Sequence, residues 1–313
     1  MRLAVIDCGT NTFNLLIVEF DSQKKYYKVF NSRIAVKLGQ GSINKGFINE
    51  DSYKRGLSAM IDLNNEIAKH NVSKILAFAT SAIRDATNGK QFVWEVKKHT
   101  GIDIEIIDGE REAELIYLGN KEAVPLSDSI SLIMDIGGGS NEFILANNKG
   151  VLWKQSFPVG AARMLAKFCP SDPITETEIK KINSYMKKQL TPLFEAVKEF
   201  CPMELIGSSG AFDSIVDIIS GELKGESAND TKTCYEINLE NYFHISKIIK
   251  KSTLEERKEI KGLVAMRLDM IVISCLMVDF ILNSFNIQKM RVSSYSLKEG
   301  ALIDYIIQAG KIK

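Results

Sequence analysis

Residues 134–143, with the sequence MDIGGGSNEF, combine two carboxylates with three consecutive glycines. The apolar run 130–134 predicts a buried strand that ends at Asp135, and residues 141–145 predict the next strand. Glycine permits positive φ, so such a turn can direct several N–H groups toward one anion. Asp135 and Glu142 flank the turn and are the predicted ligands of a Mg²⁺ ion that would bridge to phosphate oxygens. The predicted phosphate ligands of this turn are Gly137, Gly138, Gly139 and Ser140.

A second copy of this pattern lies near the N-terminus. Residues 3–6 predict an apolar strand, Asp7 ends it, and a glycine turn with small polar side chains leads into another apolar strand. One such turn is common in ordinary hairpins, but two turns that each follow an aspartate indicate an internal duplication. Two domains of this kind facing each other would form one cleft with a phosphate nest on each wall. The second turn predicts Asp7 as a further metal ligand and, as phosphate ligands, Gly9, Thr10, Asn11 and Thr12.

Two strand-to-helix turns are further candidates for anion binding. The predicted strand 75–79 runs into Ser81 and a short helix, which would present a hydroxyl and helix N–H groups to an anion. Arg84 in that helix could clamp a phosphate. The second turn follows the predicted strand 204–206 and contains Gly207, Ser208 and Ser209. Taken alone, a surface arginine on a capped helix is favoured in the first case, and a tight structural turn is equally compatible with the second.

A cluster of glutamates opens the predicted helix that follows strand 104–107. Acidic residues in a first helical turn stabilise the helix dipole, which is the structural explanation. Alternatively, one carboxylate faces the cleft and acts as a general base. The residues alone leave Glu110, Glu112 and Glu114 as competing candidates.

Composition narrows the class of protein. A chain of 313 residues suffices for one large or two ordinary domains, and 45% hydrophobic with 25% charged residues is typical of a globular protein. The net charge of +1 argues against nonspecific binding to nucleic acid or membrane. Five cysteines without a CxxC pair favour a reducing, cytoplasmic location. We expect no signal peptide, because the N-terminal apolar segment is short and carries Asp7. We expect no membrane span, because Asp269 and Asp279 flank or interrupt the apolar segment 271–282, which predicts a buried helix.

The remaining pattern predicts several helices and connections. The polar stretch 119–128 is the predicted domain boundary, and the polar stretch 221–233 is a predicted surface loop. The predicted helices include residues 49–70, 91–99 with Trp94 in the core, and one long helix over 175–200 that a capping box opens.

Four motifs follow one another along the chain: residues 79–86 (ATSAIRDA), 135–140 with Glu142, 158–160 with Arg163, and 294–300 (SYSLKEG). In this order they resemble the exopolyphosphatase/guanosine-pentaphosphate phosphohydrolase (Ppx/GppA) family over nearly the whole chain. Each motif alone is weak, whereas all of them in register are specific. The resemblance implies two actin-like (ribonuclease H-like) ATPase domains, each an α/β domain with a five-stranded mixed sheet flanked by helices, and a cleft between them. The implied domains are 1–124 and 125–299, with helix 300–313 packed on the first.

The resemblance also implies the chemistry. A Mg²⁺-dependent enzyme would hydrolyse the terminal phosphoanhydride of inorganic polyphosphate, with Arg84 neutralising phosphate oxygens. In the family, the second glutamate of a Glu-Glu-Ala pattern is the general base, and the resemblance therefore implies Glu112, which precedes Ala113. Glu110 is the fallback, because Arg111 stands where the family has the first glutamate of that pattern. Three alternatives stay open: a guanosine pentaphosphate phosphohydrolase, an actin-like ATPase or sugar kinase, and a sensor without catalysis. A homodimer also stays open.

Two features depart from the family pattern. The family often has an arginine or histidine near position 14, where this chain has Asn14, so one phosphate ligand is lost. The chain also stops at Lys313, without the additional C-terminal helical domain of long members. We therefore expect the short, two-domain form and a weaker hold on long polyphosphate.

Overall fold

Two mixed β-sheets flanked by helices form the protein, as the sequence predicts. The computed structural model describes residues 1–21, 25–224 and 232–310. The chain divides into two compact units, unit 1 (Met1–Gly119 with Leu297–Lys313) and unit 2 (Asn120–Ser296). Residues 225–231 of the predicted surface loop and residues 311–313 of the predicted last helix lie outside the described residues.

The sheet of unit 1 has five strands in the order β3-β2-β1-β4-β5. The first three strands form an antiparallel meander, because β1 and β3 each pair antiparallel with β2. The other two continue the sheet in parallel, with β4 beside β1 and β5 beside β4. The strands are β1 (Arg2–Cys8), β2 (Thr12–Phe20), β3 (Tyr26–Ala35), β4 (Lys74–Ala79) and β5 (Ile104–Ile106).

The sheet of unit 2 repeats this arrangement and adds one strand. Its strands are β6 (Ser131–Ile136), β7 (Asn141–Asn147), β8 (Gly150–Phe157), β9 (Glu204–Ser208), β10 (Cys234–Ile237) and β11 (Met290–Ser293). The order β8-β7-β6-β9-β11 has the same strand directions as β3-β2-β1-β4-β5 in unit 1. The sixth strand, β10, pairs antiparallel with β11 at the edge, where five strands were expected. The repeated topology agrees with an internal duplication.

Helices cover both sheets. In unit 1 the structure shows α1 (Glu50–Ala68), α2 (Ser81–Arg84), α3 (Gly89–Thr100), α4 (Gly109–Ala123), which runs on into unit 2, and α12 (Leu297–Gln308). In unit 2 it shows α5 (Ala161–Phe168), α6 (Glu176–Gln189), α7 (Thr191–Phe200), α8 (Gly210–Ile219), α9 (Leu239–Lys251), α10 (Leu254–Lys258) and α11 (Ile271–Phe285). Short 3₁₀ turns occupy Ile43–Lys45 and Ala265–Arg267, and a π-helical turn occupies Ser220–Lys224.

Each unit has its own hydrophobic core. In unit 1, alternate residues of β1 and β2 pack beneath α1 and α3, with Phe13 and Phe92 in edge-to-face contact at 6.5 Å between ring centroids. In unit 2, α11 is buried on every side from Ile271 to Leu282, as its apolar sequence predicts. In the part of the chain that the structure describes, the helices are too short or too polar for a bilayer crossing.

Two local predictions are wrong. Trp94 is 60% exposed, because α3 turns Phe92 and Val96 toward the core and the residue midway between them faces outward. Its ring instead lies 5.3 Å from the Lys98 ammonium. The predicted long helix over 175–200 is two helices, because Pro192 lies in the first turn of α7 and Leu190 adopts non-helical angles. The capping box that opens α6, Thr175 with Glu178, is present.

Candidate active site

The two sheets carry corresponding rows of polar side chains at the ends of their first strands. In unit 2, Asp135 on β6 lies opposite Glu142 on β7. Residues directly opposite each other on antiparallel strands project to the same face, so these two carboxylates share one face of the sheet. In unit 1 the corresponding pair is Asp7 on β1 and Asn14 on β2. The predicted equivalence of Asp7 and Asp135 therefore holds at the level of strand position.

Asp135 is only 4% exposed and is held by serine hydroxyls. Ser208 Oγ donates to Asp135 Oδ2 at 2.5 Å, and Ser296 Oγ donates to the same oxygen at 2.6 Å. Burial raises the pKa of Asp135, and the serine hydrogen bonds partly offset this. Because its proton is committed to Asp135, the Ser208 hydroxyl fixes the carboxylate rather than offering a free donor to phosphate.

The third strand of each meander adds one polar residue to the row, and the two rows differ in charge. In unit 2, Ser156 on β8 lies opposite Glu142 and donates to Glu142 Oε1 at 2.6 Å. In unit 1, Asn14 Nδ2 donates to Asp7 Oδ2 at 2.9 Å, and Arg33 Nε donates to Asn14 Oδ1 at 3.1 Å. The row in unit 2 thus contains two carboxylates, whereas the row in unit 1 contains one carboxylate and one guanidinium.

The glycine turn of unit 2 is held from one side by the start of α5. Ala161 N donates to Gly137 O at 2.9 Å, and Arg163 N donates to Gly138 O at 3.0 Å. No side chain would fit at Gly160, since a Cβ there would lie 2.5 Å from the backbone of Gly138 and Gly139. The carbonyl groups of the turn are therefore engaged by residues 160–163.

The turn in unit 1 is held in a similar way. Thr10 O accepts from Leu38 N at 2.7 Å, and Asn11 O accepts from Val36 N at 2.9 Å. The hairpin is closed by Gly9 N, which donates to Thr12 O at 3.1 Å. In both units the segment that follows the third strand of the meander binds the carbonyl groups of the turn. The amide groups on the other side of these peptide planes point the opposite way, because the peptide bonds are trans.

The predicted catalytic residues Arg84 and Glu112 lie together in unit 1. Arg84 Nη1 contacts Glu112 Oε2 at 2.6 Å and also donates to Ile107 O at 3.2 Å. Glu112 is 6% exposed, on the inner face of α4. Glu110, the fallback base, is exposed, as is Glu114, which pairs with Arg111 at 2.9 Å. The structure thus separates one buried glutamate from two exposed ones.

The other predicted phosphate ligands lie in the turns that follow β4 and β9. Ser81 is buried and donates to Asp85 Oδ2 at 2.9 Å, which stabilises the short helix α2. Ser209 has φ of 74° and precedes α8, so the turn after β9 is strained at a non-glycine residue. Gly207 and Ser208 themselves belong to the end of β9.

The residues of unit 2 are compatible with Mg²⁺ but form no complete cage. Across residues 1–21, 25–224 and 232–310, no three His, Cys, Asp or Glu side chains are grouped so that they could hold a metal ion by themselves. Mg²⁺ commonly uses one or two carboxylates and takes its other ligands from phosphate and water. The pair Asp135 and Glu142 fits that mode of binding.

Comparison with known proteins identifies the family. A model of the Ppx/GppA phosphatase family matches residues 16–308. The chain belongs to the Ppx/GppA phosphatase family. A solved exopolyphosphatase from Cytophaga hutchinsonii has a TM-score of 0.94 at 38% identity, and the match covers 99% of this chain and 98% of that one. Exopolyphosphatase 1 of Mycobacterium tuberculosis is 26% identical over 310 residues, which are 97% of this chain and 88% of its own length.

A Ppx/GppA protein of Aquifex aeolicus, 23% identical, shares the fold with a TM-score of 0.80 and a match covering 99% of this chain and 98% of that one. The predictions of a Ppx/GppA protein, of an α/β fold with mixed sheets flanked by helices and of a phosphoanhydride hydrolase are confirmed by these findings. The individual site residues, the metal ion and the substrate stay predictions.

Sequence reasoning overlooked the residues that support the predicted Ppx/GppA site. Ser296 and Arg163 stand in motifs that mark the family, but their contacts to Asp135 and to the glycine turn depend on the folded backbone. Ser156 and Arg33 carry no sequence signal of their own. Their positions follow only from the strand register, which places them opposite Glu142 and Asn14.

Proposed function

We propose that this protein is a Mg²⁺-dependent exopolyphosphatase that hydrolyses the terminal phosphoanhydride of inorganic polyphosphate and releases phosphate. The supporting observation is the combination, in unit 2, of a glycine turn whose carbonyl groups are engaged and two buried carboxylates that flank it. This combination suits a polyanion accompanied by a divalent cation. Relatives named exopolyphosphatase in Cytophaga hutchinsonii and Mycobacterium tuberculosis support the choice of substrate.

Unit 2 would hold the phosphate and the cation. The amide groups of Gly138, Gly139 and Ser140 would donate to phosphate oxygens, and Asp135 with Glu142 would bind Mg²⁺. When bound, Mg²⁺ neutralises charge on the phosphates. Two serines fix Asp135 and one fixes Glu142, so the carboxylates are oriented before any ligand arrives.

Unit 1 would supply the general base, Glu112, and the guanidinium of Arg84. Glu112, as general base, would take a proton from the attacking water. Arg84 would donate to nonbridging phosphate oxygens, which requires its guanidinium to share or leave Glu112. The buried position of Glu112 and its contact with Arg84 favour it over the exposed Glu110. The turn Gly9–Thr12 is the proposed phosphate loop of this unit, and Asp7 stays a candidate metal ligand there.

The test is phosphate release from substrates supplied side by side. We expect release from polyphosphate in the presence of Mg²⁺ and its loss when the metal is chelated. A larger kcat/KM for guanosine pentaphosphate than for polyphosphate would reassign the substrate. Phosphorylation of a sugar by ATP would favour a kinase, and tight polyphosphate binding without turnover would favour a sensor.

A further inference from the structure

A glycine-rich turn can point either its amides or its carbonyls at a ligand, because glycine peptide planes rotate easily. Carbonyl oxygens would repel a phosphate, so the orientation of each plane decides whether the turn of unit 2 binds an anion. The C=O of one residue and the N–H of the next lie in one plane and point in opposite directions. Fixing the carbonyls of Gly137, Gly138 and Gly139 therefore fixes the amides of Gly138, Gly139 and Ser140.

Residues 160–163 provide at least one donor for each of these carbonyls. Ala161 N takes Gly137 O and Arg163 N takes Gly138 O, both through the backbone. Gly139 O accepts from Gly160 N at the long distance of 3.3 Å and from Arg163 Nε at 2.8 Å. Hence the last plane of the turn, which carries the Ser140 amide, is held mainly by a side chain.

Because the carbonyls are held on one side of the turn, the backbone amides point to the opposite side. Among the residues that the structure describes, the amides of Gly138, Gly139 and Ser140 have no protein acceptor. Adjacent backbone amides that lack acceptors form a nest for an anion. Arg163 is half-buried, and its Nε is already committed to the peptide of Gly139.

We propose that Arg163 is a positioning residue whose Nε–H holds the Gly139 carbonyl away from the phosphate, so that the Ser140 amide faces it. This inference rests on the proposed phosphate role of the turn. The essential feature is a donor bonded to Cδ rather than the positive charge. Glutamine carries an N–H₂ donor on its Cδ, where arginine carries Nε, whereas lysine keeps the charge but has a methylene group at that position.

Three substitutions at Arg163 separate the role of the hydrogen-bond donor on Cδ from that of the positive charge. We expect Arg163→Gln to retain kcat for phosphate release within about threefold, because a neutral donor is roughly half as strong as a charged one. We expect Arg163→Lys and Arg163→Met to lose about tenfold in kcat or more, since losing one preorganised donor outright costs about 100-fold. Arg2→Met is the matched control, because Arg2 also donates to a backbone carbonyl, that of His70, at the other end of β1 from Asp7. Retention in Arg163→Lys with loss in Arg163→Gln, or normal kcat in all three, would overturn the proposal.

A binding experiment separates this inference from the choice of substrate. Protein labelled with ¹⁵N-glycine is titrated with inorganic phosphate, and the amide signals of Gly138 and Gly139 are followed by NMR, with Gly101 and Gly150 as references. We expect the two turn amides to shift in the wild type and in Arg163→Gln, and to need about tenfold more phosphate in Arg163→Met. If the wild type shifts in this way but releases no phosphate from polyphosphate, the proposed substrate is wrong and the role of Arg163 stands. Unshifted turn amides in the wild type, or equal phosphate affinity in Arg163→Met, would contradict the role of Arg163.

Discussion

Arg84 and Glu112, which are 28 residues apart in the sequence, are in contact at 2.6 Å between Nη1 and Oε2. The pair is largely buried, with side-chain exposures of 20% and 7%. The short helix α2, which follows β4, places the arginine, and the first turn of α4 places the glutamate. Each predicted catalytic group therefore neutralises the other, and a phosphate that attracts Arg84 would leave Glu112 available to water.

The first prediction concerns the base. Glu112→Gln keeps the size and an acceptor for Arg84 but cannot take a proton, so kcat for phosphate release should fall by at least about 100-fold. Glu110→Gln is the matched control on the same helix turn and should remain near wild type, because Glu110 is exposed. Steady-state phosphate release measures both. Near-normal turnover in Glu112→Gln would remove this residue from the role, and a large loss in Glu110→Gln would transfer the role there.

The second prediction concerns the coupling of the pair. Arg84→Met should lower kcat and, because it removes the guanidinium that contacts the buried Glu112, should also lower stability. If the two groups act as one unit, the double variant Arg84→Met/Glu112→Gln should lose little more activity than the worse single variant. Multiplicative losses in the double-mutant cycle would show that the two residues act independently. Thermal unfolding of all three variants separates stability from activity.

Sequence reasoning located the turns because a strand, an aspartate and glycines are local signals. Asp135, Glu142 and the three glycines between them lie within eight residues, so their proximity follows from one hairpin. The supporting contacts could not be found in this way. Ser208 and Ser296 reach the same oxygen of Asp135 from 73 and 161 residues away, Ser208 through the parallel pairing of β9 with β6 and Ser296 from the segment that follows β11.

The errors at Trp94 and at β10 also arise because contacts between residues distant in sequence decide these features. Periodicity gave the correct extent of α1 but not the side of α3 on which Trp94 lies, because a large aromatic residue favours burial on average and only packing decides its position. The sixth strand, β10, was missed because its four residues precede a helix and follow a polar stretch. Pairing with β11, which is distant in sequence, is what stabilises it.

The third prediction concerns acid stability. Hydrogen bonds from Ser171 and Thr175 lower the pKa of Glu178 to about 2. Because the folded-state pKa is below the ordinary value, the stabilisation is present above the ordinary pKa and is lost as the pH falls from about 4.5 toward 2. Glu178→Ala should therefore lower the midpoint of thermal unfolding by a few degrees at pH 7 and by much less near pH 2. Glu176→Ala, in the same first turn of α6, is the control. Equal effects of the two substitutions at pH 7 would contradict the capping role.

The fourth prediction concerns Asp135 and the metal ion. Burial raises the pKa of Asp135, so the native state favours the protonated carboxyl, and this contribution to stability is lost as the pH rises through the raised pKa. Wherever the metal-free carboxylate is ionised, its burial therefore opposes folding. Asp135→Asn should raise the unfolding midpoint without metal, with about 2–4 °C for each 1 kcal/mol removed, and should abolish phosphate release.

Mg²⁺ should stabilise the wild type but not Asp135→Asn. A cation at about 100 times its Kd stabilises the native state by about 2.7 kcal/mol, so Mg²⁺ should raise the midpoint of the wild type and leave Asp135→Asn nearly unchanged. Glu142→Gln should weaken the Mg²⁺ effect as well, since it removes the second carboxylate, which Ser156 otherwise holds in place. Equal stabilisation of all three proteins by Mg²⁺ would place the ion elsewhere. Differential scanning fluorimetry with Mg²⁺, with Ca²⁺ and with chelator distinguishes these cases, because Mg²⁺ demands shorter ligand distances of about 2.0–2.1 Å and a stricter geometry than Ca²⁺.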